Sequence, residues 1–177
     1  MSNRIIVEGP DGGGKSTLIQ ELIKTFPDEL HLVEGFNHSN YTEYYGWLMD
    51  QLYPEVDTVT VPVHNRFFYS ELVYGKVLRN GEVRIPSAMI QGLRSQLREE
   101  AFLIYCTLPY EELLRSAMRE EQMEGVVENL RKLHKEYDEL MGQELPRYWG
   151  SGRCVSYNYH RPGDLAEAID LVGMYLS

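Results

Sequence analysis

A glycine-rich loop near the start of the chain constrains the fold more than any other feature of the sequence. The loop reads Glu8, Gly9, Pro10, Asp11, Gly12, Gly13, Gly14, Lys15, Ser16 and Thr17. It follows an apolar run at 4–7 and satisfies the phosphate-loop pattern G-x-x-x-x-G-K-[ST] at every fixed position. Its glycines allow successive backbone N–H groups to converge on phosphate oxygens, and a helix that begins at Lys15 adds the positive end of its dipole. The loop therefore predicts an α/β fold that binds a nucleoside triphosphate.

Polar side chains of the loop have predicted partners in ATP and Mg²⁺, which are the cofactors we expect. Lys15 reaches the β and γ oxygens, and Ser16 ligates the metal ion. The residues expected to contact the nucleotide are Gly9, Asp11, Gly12, Gly13, Gly14, Lys15, Ser16 and Thr17. The sequence contains no N-K-x-D guanine motif, and no long apolar strand ends in a free Asp-Glu pair. These absences disfavour GTPases and motor-type ATPases and favour a kinase of small molecules.

The rest of the chain alternates short apolar runs with segments of helical length. Strands are predicted at 4–7, 30–34, 58–63, 101–108 and 154–159. Helices are predicted at 15–25, 42–52, 68–78, 87–99, 110–118, 126–140 and 165–175. No repeat, linker or shift in composition separates these elements, so we expect a single domain over 1–177. The alternation predicts βαβ units around a parallel sheet of five strands.

The charge balance argues against a polymeric anion as a partner. The 177 residues include 17 basic and 27 acidic side chains, which give a formal net charge of −10. This charge opposes adhesion to DNA or to anionic lipid, so a phosphate site must be built locally. The two cysteines lack metal-ligand spacing, the start of the chain leaves no room for a signal peptide, and no apolar run approaches membrane-spanning length. We expect a cytoplasmic protein with reduced thiols and no membrane partner.

Three segments resemble the superfamily of thymidylate kinases and deoxynucleoside kinases. The loop matches the family's E-G-x-D-G-x-G-K-S-T at every fixed position, and the segment 65–75 is similar to its D-R-[YF]-x-[YF]-S-x-L-A-Y. The segment 114–122 resembles the family's lid, in which an R-x-x-x-R pair precedes an E-E-Q-like stretch. The resemblance implies a P-loop three-layer α/β/α sandwich with a five-stranded parallel sheet and a helical lid at about 115–125.

The resemblance also implies roles for individual residues around the transferred phosphate. Arg66 would contact phosphates at the transfer site, which suits its planar and permanently charged guanidinium. Arg115 and Arg119 are four residues apart, so both would lie on one helical face and close over the triphosphate. Asp11 would accept a hydrogen bond from the 3′-hydroxyl of a deoxyribose, and Glu121 in the lid would bind the sugar in a nucleoside kinase.

The acceptor side contains a departure from the family pattern. The residue before the arginine is an acid in these families, whereas this chain has Asn65, which brings no negative charge and cannot act as a base. Glu8 is the expected substitute, as the carboxylate that takes the acceptor proton or helps to hold the metal. Phe68 or Tyr69 is expected to stack on the acceptor's nucleobase. Arg94 lies where the family can place another substrate-facing arginine, with an exposed helix surface as the equal alternative.

The sequence leaves several functions open. The leading hypothesis is a thymidylate-kinase-like enzyme that transfers the γ-phosphoryl group of ATP to a deoxynucleoside monophosphate. One alternative is a deoxynucleoside kinase that acts on a 5′-hydroxyl, or a kinase of a hydroxymethylated pyrimidine in a nucleotide or in DNA. Another is a nucleotide-binding module without catalysis. Base specificity stays open, and so does the quaternary state, for which a homodimer is one option.

Overall fold

A parallel sheet of five strands lies at the centre of the computed structural model, which describes residues 3–35, 41–53, 59–119, 124–149 and 151–177. The strands are β1 (Arg4–Glu8), β2 (Leu30–Glu34), β3 (Val61–Asn65), β4 (Ala101–Cys106) and β5 (Cys154–Tyr157). They pair in the order β2-β3-β1-β4-β5, and every pairing is parallel. The neighbouring strands β1 and β4 are buried along their whole length, as expected for a sheet covered on both faces.

Seven helices within the described ranges cover both faces of this sheet. They are α1 (Lys15–Thr25), α2 (Tyr41–Leu52), α3 (Phe68–Leu78), α4 (Ser87–Glu100), α5 (Tyr110–Ala117), α6 (Val126–Trp149) and α7 (Asp164–Leu176). Ile5 and Val7 of β1 belong to a core shared with α1 and α7, whereas Ile6 belongs to a core shared with α2, α3, α4 and α6. Because alternate side chains of a strand point to opposite faces, this division creates three layers. The predicted α/β/α sandwich with a five-stranded parallel sheet is confirmed.

The predicted strands differ from the observed ones mainly at their ends. β3 continues to Asn65 instead of ending at residue 63, because its parallel pairing with β1 and β2 includes His64 and Asn65. The polar character of these two residues hides this continuation in the sequence. β4 and β5 end two residues earlier than predicted, at Cys106 and Tyr157.

Helix α6 is longer than the sequence predicts, since it continues past residue 140 to residue 149. Buried side chains recur along it at helical spacing, at Tyr137, Met141, Leu145 and Tyr148. This burial holds the helix together through Pro146, which would otherwise favour its end. None of the described helices is long and apolar enough to cross a membrane.

The carboxyl ends of three neighbouring strands meet at one edge of the sheet. β1 ends at Glu8, β2 at Glu34 and β3 at Asn65. Asn65 is paired with Val7 on one side and with Glu34 on the other. Because the strands are parallel, their polar terminal residues and the loop that follows β1 lie on the same side of the molecule, which is where open α/β sheets bind ligands.

Candidate active site

The phosphate loop packs closely against the end of β4. Gly9 has a φ of 143° and Gly14 a φ of 86°, both in the region that favours glycine. A Cβ atom at Gly9 would collide with the carbonyl oxygen of Cys106, and one at Gly14 would lie 2.5 Å from the ring of Tyr159. Gly14 also precedes the first residue of α1. The glycines therefore allow the loop to approach β4 and Tyr159 while it leads into the helix.

A cavity of about 370 Å³ opens beside this loop. Its lining residues are Asp11, Gly12, Gly14, Lys15, Ser16, Thr17, Asn65, Arg66, Ser116 and Tyr159. The structure thus brings the loop together with Asn65 and Arg66, which the sequence places on its list of site residues. Ser116 and Tyr159 are not among the predicted site residues, since Ser116 is a position between the two lid arginines and Tyr159 lies outside the three family-like segments. Topology could have indicated Tyr159, because it follows the carboxyl end of β5, on the side of the sheet where the phosphate loop lies.

Lys15 is buried beneath the loop that precedes it. Its Nζ donates hydrogen bonds to the carbonyl oxygens of Gly9, at 3.0 Å, and Pro10, at 2.8 Å. Burial, together with the nearby Arg66 guanidinium, lowers the pKa of Lys15 to about 8. An entering phosphate would bring negative charge to an ammonium that is held in place but poorly solvated.

Arg66 connects the loop to helices α3 and α6. The residue has a φ of 73°, which is unusual for a residue other than glycine. Its Nη1 donates to the carbonyl oxygen of Gly9 at 2.9 Å and to the hydroxyl of Tyr137 at 2.7 Å, and its Nη2 lies 2.5 Å from Oδ1 of Asp11. Burial opposes ionisation of Asp11, but the charges of Arg66 and Lys15 outweigh it and lower the pKa of this carboxyl. The hydroxyl of Tyr74 donates to the other oxygen of Asp11.

Glu8 is fully buried, in contrast to the position expected for a group that contacts the acceptor. Its Oε1 accepts hydrogen bonds from the backbone N–H groups of Phe67, at 2.8 Å, and Ser70, at 3.1 Å, and its Oε2 accepts from Ser70 Oγ at 2.5 Å. Burial raises the pKa of Glu8, although these hydrogen bonds act in the opposite direction. The carboxylate thus holds the start of α3 and the backbone next to Arg66, and it does not line the cavity. The expected role of Glu8 as a catalytic base or a metal ligand stays a prediction, which this buried position does not favour.

Asn65 has a carboxylate partner that sequence reasoning missed. Its Nδ2 donates to Oε2 of Glu34 at 3.2 Å, across the neighbouring ends of β3 and β2. Glu34 is exposed, and Asn65 lines the cavity. In the sequence, Glu34 is visible only as an acidic residue at the end of a predicted strand. The pairing of β2 with β3 is needed to show that it lies next to Asn65. An accessible carboxylate therefore lies next to the edge of the cavity at Asn65.

Three of the predicted substrate residues lie elsewhere. Phe68 and Tyr69 are fully buried in the core under α3, and the Tyr69 hydroxyl contacts Glu144 at 3.3 Å and the hydroxyl of Tyr148 at 3.0 Å. Arg94 forms an ion pair with Glu144, with its Nε 3.2 Å from Oε1. None of the three lines the cavity. Aromatic residues beside a motif serve a core as readily as a ligand, and here the core accounts for both.

The predicted lid arginines lie at the end of α5. Arg115 is exposed, and its Nε donates to the carbonyl oxygen of Glu111 at 3.2 Å, while Arg119 is exposed two residues past the helix. The neighbouring Ser116 lines the cavity, so α5 borders the loop. Glu121 lies outside the described residues.

The residues around the cavity fit a nucleotide better than an isolated metal ion. Among the described residues, no group of three or more His, Cys, Asp or Glu side chains is arranged to hold a metal. The loop instead offers a cradle that only glycines permit, a lysine beneath it and the Ser16 side chain at its end. A Mg²⁺ ion that arrives with ATP needs few ligands from the protein, because phosphate oxygens and water supply the rest.

Comparisons with known proteins find similarity in structure only. No family model matches the chain, and no curated protein matches it. The structure of YorR from Bacillus subtilis, in complex with phosphorylated GDP, aligns with a TM-score of 0.68 at 16% sequence identity, covering 98% of this chain and 97% of that one. The chain has the fold of YorR.

Deoxyadenosine kinase from M. mycoides has the same fold. Its structure with bound dATP aligns with a TM-score of 0.59 at 14% identity and covers 98% of both chains. Its structure with the products dCMP and dCDP aligns with a TM-score of 0.58 at 16% identity and covers 98% of this chain and 97% of that one. The predicted P-loop kinase fold is confirmed by these alignments over nearly the whole length of each chain.

Proposed function

We propose that this protein is a kinase that transfers the γ-phosphoryl group of ATP to the 5′-hydroxyl of a deoxynucleoside. The observation that carries the proposal is the exposed carboxylate of Glu34, held by Asn65 at the edge of the phosphate-loop cavity. A hydroxyl acceptor requires a group that takes its proton, and a carboxylate within reach can do so. The kinase fold shared with deoxyadenosine kinase supports the reaction type.

On the donor side, the loop is suited to the triphosphate of ATP, which supplies the phosphoryl group, with Mg²⁺ to neutralise its oxygens. Lys15 and the amino end of α1 would hold the phosphates, and Ser16 would contact the metal. Lys15 and Arg66 would stabilise the charge that builds up on the transferred group. Arg115 and Arg119 stay predicted lid residues.

On the acceptor side, charge favours a hydroxyl over a phosphate. A monophosphate would bring close to two negative charges to an edge that already has Glu34 and Asp11. Among the described residues that line the cavity, Arg66 is the arginine, and it is already paired with Asp11. A neutral hydroxyl needs no further cation. As the bond from its oxygen to the γ-phosphorus forms and the bond to the β–γ bridging oxygen breaks, Glu34 would receive the hydroxyl proton.

A phosphate acceptor is the second candidate, because it is the leading hypothesis from the sequence. ATP consumption measured against each deoxynucleoside, each monophosphate and DNA with modified bases separates the two. We expect turnover with at least one deoxynucleoside, at least tenfold above any monophosphate. Turnover with monophosphates alone would identify a nucleotide kinase. ATP binding without turnover in any arm would leave only a binding module.

Lys15→Ala is the control for this screen, since it removes the cation beneath the loop and should abolish transfer. Lys24→Ala, on the exposed side of the same helix, removes an equal charge and should leave turnover unchanged.

The single domain over 1–177, the cytoplasmic location and the homodimer stay predictions.

A further inference from the structure

A second group of charged side chains lies between α4 and α6. At its centre is the carboxylate of Glu144, whose side chain is 1% exposed. Arg94 Nε lies 3.2 Å and Arg147 Nη1 3.1 Å from Oε1, and Arg98 Nη2 lies 3.8 Å from Oε2. The hydroxyl of Tyr69 also contacts Oε2, at 3.3 Å. Three guanidiniums thus surround one carboxylate.

This arginine cluster is separate from the phosphate-loop cavity. Tyr137 of α6 contacts Arg66 at the cavity, and Glu144 follows it by two helical turns, or about 10 Å along the axis. The direction is towards the start of β5, where the thiol of Cys154 lies 3.5 Å from the carbonyl oxygen of Leu145. None of the clustered side chains lines the cavity.

The charges in the arginine cluster do not balance. Within the described ranges, Glu144 is the only carboxylate that forms an ion pair with any of its three arginines, which leaves a local excess of two positive charges. One arginine would compensate the buried carboxylate, and two further cations held beside it repel each other and the first. The excess is also notable in a chain whose formal net charge is −10.

The cluster is open on one side. The exposed fraction rises from 18% for the Arg94 side chain to 30% for Arg98 and 44% for Arg147. The contacts with Glu144 engage one nitrogen of each guanidinium, whereas a guanidinium carries five N–H donors. Donors on Arg98 and Arg147 therefore stay accessible to solvent while Glu144 holds the three side chains together.

We propose that the arginine cluster is a binding site for a phosphate-bearing anion, distinct from the catalytic cavity. The planar guanidinium forks match the oxygens of a phosphate group, and a doubly charged anion would neutralise the excess. Glu144 is the positioning residue, which orders the arginines before the anion arrives. The anion is either an inorganic phosphate or the phosphate end of a nucleotide.

Titration calorimetry with pyrophosphate at low ionic strength tests this site. Lys15→Ala serves as the background, so that binding at the phosphate loop is weakened. We expect this variant to bind one pyrophosphate per chain, and we expect Arg98→Gln with Arg147→Gln in the same background to weaken that binding at least tenfold. Arg131→Gln, on the exposed side of α6, is the control and should not change it. A parallel titration with AMP separates a nucleotide from an inorganic phosphate as the ligand.

The lysine double variant, Arg98→Lys with Arg147→Lys, keeps the charges but removes the forks. It provides a folded comparison if the glutamine variant is unstable, and it should bind more weakly than the arginine protein. Equal pyrophosphate binding by the cluster variants and the Arg131→Gln control would overturn the proposal, as would the absence of any binding in the Lys15→Ala background. Failure here leaves the proposed kinase activity untouched, because that activity is measured in the protein with Lys15.

Discussion

Lys15 is buried at the position where a phosphate is expected to bind, so the binding of a nucleotide should change its protonation. Its pKa is about 8 in the protein without nucleotide, because burial disfavours the charged form. A bound phosphate favours the charged form, so nucleotide binding should raise that pKa. Binding is therefore linked to the uptake of a proton, and affinity for ATP should fall as the pH rises above 8.

Calorimetry of ATP binding at pH 8.5, in two buffers of different ionisation enthalpy, measures this uptake. We expect up to about three quarters of a proton per ATP, the fraction of Lys15 that lacks its proton at this pH. Lys15→Arg should show no uptake, since arginine stays charged. Proton release, or an uptake that persists in Lys15→Arg, would contradict this account.

Glu34 and Asn65 give a second prediction at the scale of residues. Glu34→Gln should lower turnover by roughly 10²- to 10⁴-fold with little effect on ATP affinity, because it removes the group proposed to take the acceptor proton. Asn65→Asp should also lower turnover, since it replaces the amide that donates to Glu34 with a second carboxylate about 3 Å away. Glu29→Gln, exposed just before β2, is the matched control. A rate that stays the same or rises in Asn65→Asp would show that the family's acid is tolerated here.

Sequence reasoning identifies site residues where the chemistry needs neighbours in the chain. The loop and the Asn65-Arg66 pair were found in this way. Glu34 was missed because its contact with Asn65 spans 31 residues and depends on which strands pair. Glu8 was given a role at the acceptor because position at a strand end does not reveal on which face of the sheet, or how deeply, a side chain lies.

At the scale of elements, two glycines in neighbouring helices should respond oppositely to alanine. Gly92 in α4 is exposed, and a Cβ atom there would meet nothing within 4 Å. Gly75 in α3 is buried, and a Cβ atom there would lie 2.8 Å from the carbonyl oxygen of Glu82 and 2.9 Å from the side chain of Val83. Gly92→Ala should raise the free energy of unfolding by about 0.5–1 kcal/mol, through the greater helix propensity of alanine. Gly75→Ala should lower it, because the backbone at Glu82 must move.

Urea unfolding at pH 7 measures both changes. Equal stabilisation by the two substitutions would mean that the turn after α3 yields without cost.

The number and order of elements could be predicted from alternating apolar patterns, because each element must bury one face. The length of α6 could not, because a proline obscures a pattern of burial that only its packing against the sheet makes visible.

At the scale of the whole molecule, His64 ties stability to pH. It is fully buried in β3 against Phe67, and neither ring nitrogen has a hydrogen-bond partner among the described residues. Burial above all, and also the charge of Arg4, lowers its pKa to about 3. The unfolded chain binds a proton at this residue near pH 6.5, and the folded protein does not until the pH is much lower. Stability should therefore decrease as the pH falls below about 6.5.

This linkage should cost about 2 kcal/mol between pH 7 and pH 5. Urea unfolding of the wild type and of His64→Phe at the two pH values isolates it, because carboxylates contribute equally to both proteins. The decrease should be smaller by about that amount in His64→Phe and unchanged in His160→Gln, whose side chain is half exposed. An equal decrease in all three proteins would show that His64 is protonated in the folded state.

The two buried cysteines can report local opening of the sheet. Both are buried, and burial raises the pKa of Cys106 to about 12 and that of Cys154 to about 11. The thiolate is the form that attacks a thiol reagent, and the reagent must be able to reach it, so modification of these buried thiols requires the strand to open. Cys154 begins the edge strand β5, and Cys106 ends β4, which has a neighbour on each side. Cys154 should therefore be modified faster than Cys106. The rate at Cys154 reports fraying of the sheet edge, and the rate at Cys106 reports opening of the sheet interior.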